Sequence, residues 1–265
     1  MYILAMETTG PVGSVAVIDQ DGNTASKCST EVMSHLKELI PMTEALLKEK
    51  DISKSELSAV AASIGPGSFT GIRIGVSTAR ALSQALGLPA VAVPSLESFR
   101  VKCNGLSMIV PIFNARRGQV YGAVFEEDGS DILKPGPYML TDVLKAIKDN
   151  LEEKRSDLPC GMPVMETITF YGDGIDAYGK ELEAFEQELM KENYVFRILL
   201  AEKEVRYQHA ELVAKTALDK FKKGETCSYE ELKPDYMRVT EAEQKLKDGT
   251  LAKERAAKLA RFKAR

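Results

Sequence analysis

A glycine-rich segment, GPGSFTGIRIG at residues 65–75, constrains the fold more than any other part of the sequence. Residues 58–64 before it are small and apolar throughout, which is typical of a strand buried on both faces of a sheet. A helical pattern follows the segment and ends at Gly87. The first two glycines of the segment permit the positive φ angles of a tight strand-to-helix turn. The segment therefore predicts a strand–turn–helix unit within a sheet that carries helices.

Two familiar phosphate-binding motifs are excluded at this segment. No Lys followed by Ser or Thr comes after the glycines, as a P-loop requires. Thr70 stands where a dinucleotide fingerprint has its third glycine. Two interpretations remain: the free amides of residues 68–71 bind an anion at a helix N-terminus, or Ser68 or Thr70 simply caps a tight turn.

The helix after the segment has an unusual surface. Gly71 and Gly75 lie four residues apart on one face, so another backbone could approach that face closely. A surface helix normally shows one apolar stripe, whereas this helix shows two that are almost uncharged. We therefore expect cover on both sides, by its own sheet and by another lobe or subunit. The stripes are Ile72, Val76, Ala79, Ser83 and Leu86, and Ile74, Ser77, Thr78, Ala81 and Ala85.

The order of predicted elements indicates two lobes with mixed sheets. The first lobe, residues 1–104, begins with a hairpin at 2–8 and 14–18 and has a further strand at 24–29. A helix capped by Ser34 and interrupted by Pro41 follows, and then strands at 58–64 and 90–93 flank the glycine segment and its helix. The second lobe, residues 105–240, has predicted strands at 107–113, 119–126, 168–171 and 194–200, helices at 141–151, 176–192 and 208–222, and a loop at 152–163.

Charge and composition exclude several classes of function. Residues 241–265 form a basic tail of net charge +4, and the other 240 residues carry −8. An acidic body argues against a large nucleic-acid surface, so we interpret the tail as a solvated helix, with contact to RNA as the alternative. Four widely spaced cysteines and two histidines exclude a zinc ribbon, a disulfide scaffold and a three-histidine metal site. No stretch of 18 apolar residues and no signal peptide is found, which predicts a cytoplasmic protein without membrane contact.

Six stretches of the sequence resemble one known family. The resemblance is to the TsaB (YeaZ) family, a bacterial partner in making threonylcarbamoyladenosine on tRNA, and it spans residue 1 to about residue 243. The stretches are ILAMET at 3–8, SHLKELIP at 34–41, GPGSFTGIRIG at 65–75, PSLES at 94–98, NARRGQVY at 114–121 and PDYMR at 234–238.

The resemblance implies a fold and a role. The fold would be two-lobed α/β, related to actin, Hsp70 and the sugar kinases (the ASKHA fold). The chain would be a glycoprotease-like pseudo-enzyme without catalytic or metal-binding residues, pairing with a TsaD-type transferase through the helices that begin at Ser34 and Thr70. A TsaE-type ATPase would dock on that pair, tRNA would be reached indirectly, and the chain alone would form a homodimer.

The resemblance also yields candidate binding residues. The glycine turn at Gly172, Asp173 and Gly174 is a weak candidate for nucleotide contact, because such a turn contacts adenosine in the parent fold. No cofactor is expected for the chain by itself, with ATP or ADP at a subunit junction as a further expectation. The candidate partner-binding residues are His35, Leu36, Leu39, Met42, Thr43, Leu46, Thr70, Arg73, Ile74, Ser77, Thr78 and Ala81.

Two departures from the family pattern bear on the alternatives. Glu7 and Asn114 stand where the family usually has Asp, which removes or moves carboxylates that could hold Mg²⁺ and phosphate in the parent fold. Both argue against the main alternative, a nucleotide-binding ATPase or phosphotransferase of the same fold acting alone. A third alternative, a metallopeptidase, conflicts with the two isolated histidines, His35 and His209. His35 is interpreted as a capping or interface residue.

Overall fold

The computed structural model describes residues 1–29, 35–156, 165–192 and 194–237. Its first sheet begins with an antiparallel meander, as predicted, and continues with two parallel strands in the order β3-β2-β1-β4-β5. The strands are β1 (Tyr2–Glu7), β2 (Ser14–Asp19), β3 (Thr24–Cys28), β4 (Leu57–Gly65) and β5 (Ala90–Pro94), and the helices between them are α1 (His35–Glu49) and α2 (Phe69–Leu86). α1 continues through Pro41.

The second sheet repeats this topology. Its order, β10-β9-β6-β7-β8, again combines a three-stranded meander with two parallel strands. The chain therefore contains the same βββαβαβ unit twice, and the predicted pair of mixed sheets is confirmed. The elements are β6 (Met108–Asn114), β7 (Gln119–Phe125), β8 (Asp131–Met139), α3 (Leu140–Ser156), β9 (Met165–Tyr171), α4 (Gly174–Lys191) and β10 (Val195–Leu200).

Both faces of the first sheet are covered, which explains its nearly continuous apolar strands. Leu4 and Met6 of β1 point towards α1 and α2, whereas Ile3 and Ala5 point to the opposite face. That opposite face is covered by α6 (Ala210–Lys222), which presents mainly alanines and valine to the sheet. Small residues on the helix let it lie close to the strands.

The packing of α6 changes the expected division of the chain. The sequence analysis assigned residues 105–240 to the second lobe, yet α6 follows the short helix α5 (Lys203–Arg206) back to the first sheet. Residues 226–237, which we call the C-terminal strap, also pack on the first lobe: Cys227 pairs with Ala90, and Leu232 is fully buried beside α1 and α2. Residues 105–206 form most of the second lobe, while Leu96, Phe99 and Leu212 also pack against β6 and β7. The alanine-rich face of α6 fits the first sheet.

Two further differences lie in the second lobe. β8 was not predicted, because Pro135, Gly136 and Pro137 interrupt its pattern, and such residues are tolerated here since β8 is an edge strand. α3 extends to Ser156, so the loop predicted at 152–163 is wrong for its first five residues.

The predicted cap Ser34 and the tail at 241–265 lie outside the described residues. No helix among the described residues is long and apolar enough to cross a membrane.

Candidate functional site

The glycine segment forms a capped turn whose polar groups are mostly paired. Ser68 is the N-cap of α2, and its hydroxyl accepts a hydrogen bond from the amide of Gly71 at 3.2 Å. The amide of Ser68 donates to the carbonyl of Thr9 at 2.8 Å, and the amide of Ile72 donates to the carbonyl of Ser68 at 2.8 Å. These bonds favour the cap interpretation over the anion site, because two of the four amides at residues 68–71, those of Ser68 and Gly71, already have acceptors.

The glycines of this segment leave room for the backbone of the turn between β1 and β2, which packs directly against them. A Cβ atom at Gly71 would overlap the carbonyl oxygen of Thr8, and one at Gly67 would lie 2.6 Å from the carbonyl oxygen of Thr9. The hydroxyl of Thr8 donates to the carbonyl of Gly71 at 2.7 Å. The backbone that approaches the glycine face of α2 is therefore the chain's own, and that face is not available to a partner.

Glu7 lies at the end of β1 and is completely buried. Its Oε1 accepts hydrogen bonds from the amides of Thr9 and Gly10, whereas its Oε2 has no partner among the described residues. Burial raises the pKa of Glu7 above its ordinary value, while the hydrogen bonds from Thr9 and Gly10 oppose the shift. No charged side chain contributes to that shift. A fully enclosed carboxyl group whose pKa is raised by burial does not fit a site for Mg²⁺ and phosphate.

The glycine turn in the second lobe is explained by packing. Gly172 has φ +95°, and a Cβ atom there would overlap the carbonyl oxygen of Ile112 on β6. A Cβ atom at Gly174 would lie 2.8 Å from the same oxygen. Asp173 accepts the amide hydrogen of Asn114 at 2.9 Å, and burial raises the pKa of this Asp173 carboxyl. The turn thus holds α4 against β6, and nucleotide contact at Gly172, Asp173 and Gly174 stays a prediction.

Half of the candidate partner residues on α1 belong to the core. Leu39, Thr43 and Leu46 are buried, and the hydroxyl of Thr43 donates to the carbonyl of Leu39 at 2.8 Å. Placing these three residues on a partner surface was therefore wrong. Met42 is half-buried against the same core, and the side chain of His35 lies outside the described residues. α1 carries two apolar stripes, and the sequence alone did not show which one faces inward.

The outward side of α1 is apolar at its N-terminal half. Leu36 is 77% exposed, and Ile40, one turn further along, is 41% exposed. Ile40 was not among the candidate partner-binding residues, although its spacing of four residues from Leu36 places both on one side of the helix. Two large apolar side chains thus face solvent beside α2, which shares a core with α1.

The outward side of α2 contains the candidate residues predicted there. Thr70, Arg73, Ser77 and Ala81 are exposed, while Ile74 and Thr78 are half-buried. No segment of the described residues covers this side, which leaves it open to a second covering body. We define the α1–α2 surface by the exposed or half-exposed residues Leu36, Ile40, Thr70, Ile74, Ser77 and Ala81.

An aromatic cluster borders this surface at the N-terminal end of α2. The rings of Phe69 and Tyr236 lie 4.7 Å apart, centroid to centroid. The guanidinium carbon of Arg73 lies 4.1 Å from the centroid of Phe69, and the Nε of Arg73 donates to the hydroxyl of Tyr236 at 3.0 Å. Phe69 and Tyr236 were not among the candidate residues. The PDYMR stretch is the only sequence signal that could have drawn attention to Tyr236.

The duplicated βββαβαβ unit, with α6 returning to the first sheet, defines a two-lobed protein of the actin, Hsp70 and sugar-kinase class. The family described as "TsaD: tRNA N6-adenosine threonylcarbamoyltransferase" matches residues 31–255. Among curated relatives, the TsaB protein of Bacillus subtilis is 34% identical over 155 residues, which cover 56% of this chain and 67% of that protein. The chain belongs to the TsaB (YeaZ) family, whose named members are tRNA threonylcarbamoyladenosine biosynthesis proteins.

Two longer matches agree with this family. The TsaB protein of Escherichia coli is 28% identical over 249 residues, which cover 93% of this chain and 98% of that protein. The solved structure of YeaZ from Pseudomonas aeruginosa has a TM-score of 0.61 at 24% identity and covers 89% of this chain and 99% of its own. At that identity the structural likeness concerns the fold alone. It extends over both lobes.

Proposed function

We propose that this chain is a non-catalytic dimerisation and scaffold subunit of a tRNA threonylcarbamoyladenosine-forming complex. In this proposal it pairs with a TsaD-type transferase through the α1–α2 surface and thereby activates it. A TsaE-type ATPase docks on the pair, and the transferase subunit holds the metal. Without the transferase, two copies of this chain associate through the same surface.

One observation carries the proposal: the outward side of α2 is solvent-exposed yet almost uncharged. Exposed helix faces in soluble proteins are normally rich in charged residues. Ser77 and Ala81 instead expose small side chains on α2, and the neighbouring helix α1 exposes the apolar side chains of Leu36 and Ile40. Small residues allow the backbone of a partner helix to approach closely, and large apolar neighbours contribute buried area.

The chemistry of the first lobe supports a non-catalytic role. Glu7 is buried at the end of β1, and the amides of Ser68 and Gly71 in the glycine turn already have acceptors. ATP or ADP at a subunit junction remains part of the proposal.

Co-elution with the TsaD-type protein of the same organism tests the pairing. Ala81→Arg adds a long charged side chain to the proposed interface without touching the core, and Leu36→Asp places a carboxylate in it. We expect both variants to lose the complex in size-exclusion chromatography. Ala177→Arg, at an exposed alanine of α4, is the matched control and retains it. Co-elution of Ala81→Arg and Leu36→Asp at wild-type level contradicts the proposed interface.

Reconstitution tests the role. Omitting this chain from a mixture of purified TsaD-type, TsaE-type and synthase components should abolish tRNA modification, and adding Ala81→Arg should fail to restore it.

Calorimetry of the isolated chain with ATP and Mg²⁺ addresses the alternative of an independent ATPase. Micromolar binding together with turnover by the chain alone would replace the scaffold proposal with that alternative.

A further inference from the structure

The C-terminal strap delivers one aromatic side chain to the edge of the α1–α2 surface. Leu232 anchors the strap in the core, and the amide of Asp235 donates to the carbonyl of Ile64 at 2.8 Å. Gly65 has no side chain where the carbonyl of Asp235 passes, so the strap lies directly on the start of the glycine turn. These contacts hold the strap against the end of β4, where the glycine turn begins, and position Tyr236 against α2.

Tyr236 holds Arg73 in a defined orientation. The hydroxyl of Tyr236 accepts the hydrogen of Arg73 Nε, and the guanidinium group lies over the ring of Phe69. An arginine that is stacked and hydrogen-bonded has already lost much of its side-chain entropy. It therefore binds an acceptor at a smaller entropic cost than a mobile arginine would.

The remaining donors of Arg73 have no acceptor within the part of the chain that the structure describes. One of five N–H groups is used by Tyr236, and the four on the two Nη atoms are not. These four donors form the fork that matches a carboxylate in bidentate geometry. Arg73 is exposed and lies on α2 one turn before Ser77, at the edge of the proposed interface.

We infer that Phe69, Arg73 and Tyr236 form a carboxylate-binding anchor at the edge of the α1–α2 surface, which holds an Asp or Glu side chain of the partner subunit. The inference rests on the proposed pairing and adds its specific polar contact. Charge complementarity argues for an acidic occupant, because Arg73 and Arg80 are the only charged residues of α2. Tyrosine and arginine are also the residue types that most often dominate the binding energy of interfaces.

Binding constants measured by calorimetry with the TsaD-type protein test this anchor. We expect Arg73→Gln to weaken binding about 30-fold, because the fork and the charge are both lost. Arg73→Lys should weaken it about tenfold, since an ammonium group keeps the charge but neither stacks nor binds in bidentate fashion. Tyr236→Phe should have a smaller effect, of about threefold, because the ring remains and only the orienting hydroxyl is removed.

Two controls separate the possible results. Arg197→Gln removes an exposed arginine from β10, away from the proposed surface, and should bind as wild type does. Thermal melting of each isolated variant identifies any loss of folding. Binding of Arg73→Gln or Arg73→Lys at wild-type strength, while Ala81→Arg fails to bind, overturns the anchor and leaves the proposed function intact. Wild-type binding by Ala81→Arg contradicts the proposed function itself.

The salt dependence provides a second readout that a merely structural role would not change. Binding through an ion pair weakens as the ionic strength rises. The affinity of the wild type should therefore fall more steeply with added NaCl than that of Arg73→Gln. Parallel salt curves for the two proteins would contradict a carboxylate as the occupant.

Discussion

The second helix of each βββαβαβ unit has the same place in the fold but a different surface. α2 and α4 are both 18 residues long, and each follows a glycine turn at the end of a parallel strand. α2 has two charged residues, whereas α4 has seven and presents most of them to solvent. Because topology is shared, the difference reflects what each helix faces: water at α4 and, in our proposal, a partner at α2.

The neighbouring helices extend the contrast. In the second lobe, Lys148 of α3 forms ion pairs at 2.8 Å with Glu188 of α4 and with Glu192, so charges cover the groove between the helices. In the first lobe, the corresponding helix α1 exposes Leu36 and Ile40 instead. The two units can thus be compared directly. The charged surface of α3 and α4 shows what the α1–α2 surface would look like if it faced only water.

The largest expected effect on the free energy of unfolding comes from a glycine of α2, Gly71, compared with a glycine of α4, Gly179. Gly71→Ala should prevent stable folding of the first lobe, or cost about 4 kcal/mol or more, because the added methyl group overlaps the backbone of Thr8. Gly179→Ala in α4 has open space around its Cβ position and should stabilise the helix by up to about 1 kcal/mol. Chemical denaturation measures both, and equal stabilities would refute the close approach of Thr8.

A smaller effect distinguishes the two sides of α1. Leu39→Ala should lower the free energy of unfolding by about 2–5 kcal/mol, since it leaves a cavity in the core. Leu36→Ala should change it by less than about 0.5 kcal/mol, because this side chain faces solvent. Urea unfolding of the isolated chain measures both values. A larger loss for Leu36→Ala than for Leu39→Ala would show that α1 is rotated about its axis.

The first lobe also differs from the second in containing a fully buried carboxyl group, Glu7. Its pKa is raised in the folded chain, so the folded state holds the proton more tightly than the unfolded state does. The stability from the protonated group is present below the ordinary pKa of 4.5 and is lost as the pH rises from there towards the folded pKa. Glu7→Gln should therefore gain stability relative to wild type as the pH rises above 4.5.

Denaturation curves at pH 5, 6.5 and 8 check this sign. The difference between Glu7→Gln and wild type should grow with pH, because glutamine does not ionise. A difference that shrinks as the pH rises would mean that the folded chain stabilises the ionised Glu7.

The smallest expected effect is at the charged groove of the second lobe. Lys148→Ala should leave thermal melting nearly unchanged, because ion pairs in solvent contribute little and are screened by salt. Association with the TsaD-type protein should also be unaffected. Loss of the complex in Lys148→Ala would indicate that the second lobe, too, has a docking surface.

Local sequence signals predicted the elements that local chemistry determines. The hairpin of β1 and β2 follows from alternating residues around a turn, and α2 ends at Gly87 because glycine adopts the left-handed conformation there. The inward side of α1 could not be read, because both of its stripes are apolar. Which side chains of a helix are buried depends on neighbours that are distant in sequence.

The least predictable feature was the destination of the C-terminal residues. The alanines of α6 indicate a helix that packs closely, but not against which sheet. Tyr236 was likewise invisible as part of the site, because its partners Phe69 and Arg73 lie more than 160 residues away. Composite sites of this kind depend on topology, which short motifs do not encode.

The return of α6 and the strap to the first sheet also matters during synthesis. β1 emerges from the ribosome first, yet the helix that covers one of its faces is made about 200 residues later. Until then the alanines and isoleucines of that face lack their native cover, and contacts of such long sequence separation form slowly. The first lobe therefore cannot complete its core until α6 has been translated, and the uncovered face of its sheet is prone to aggregation until then.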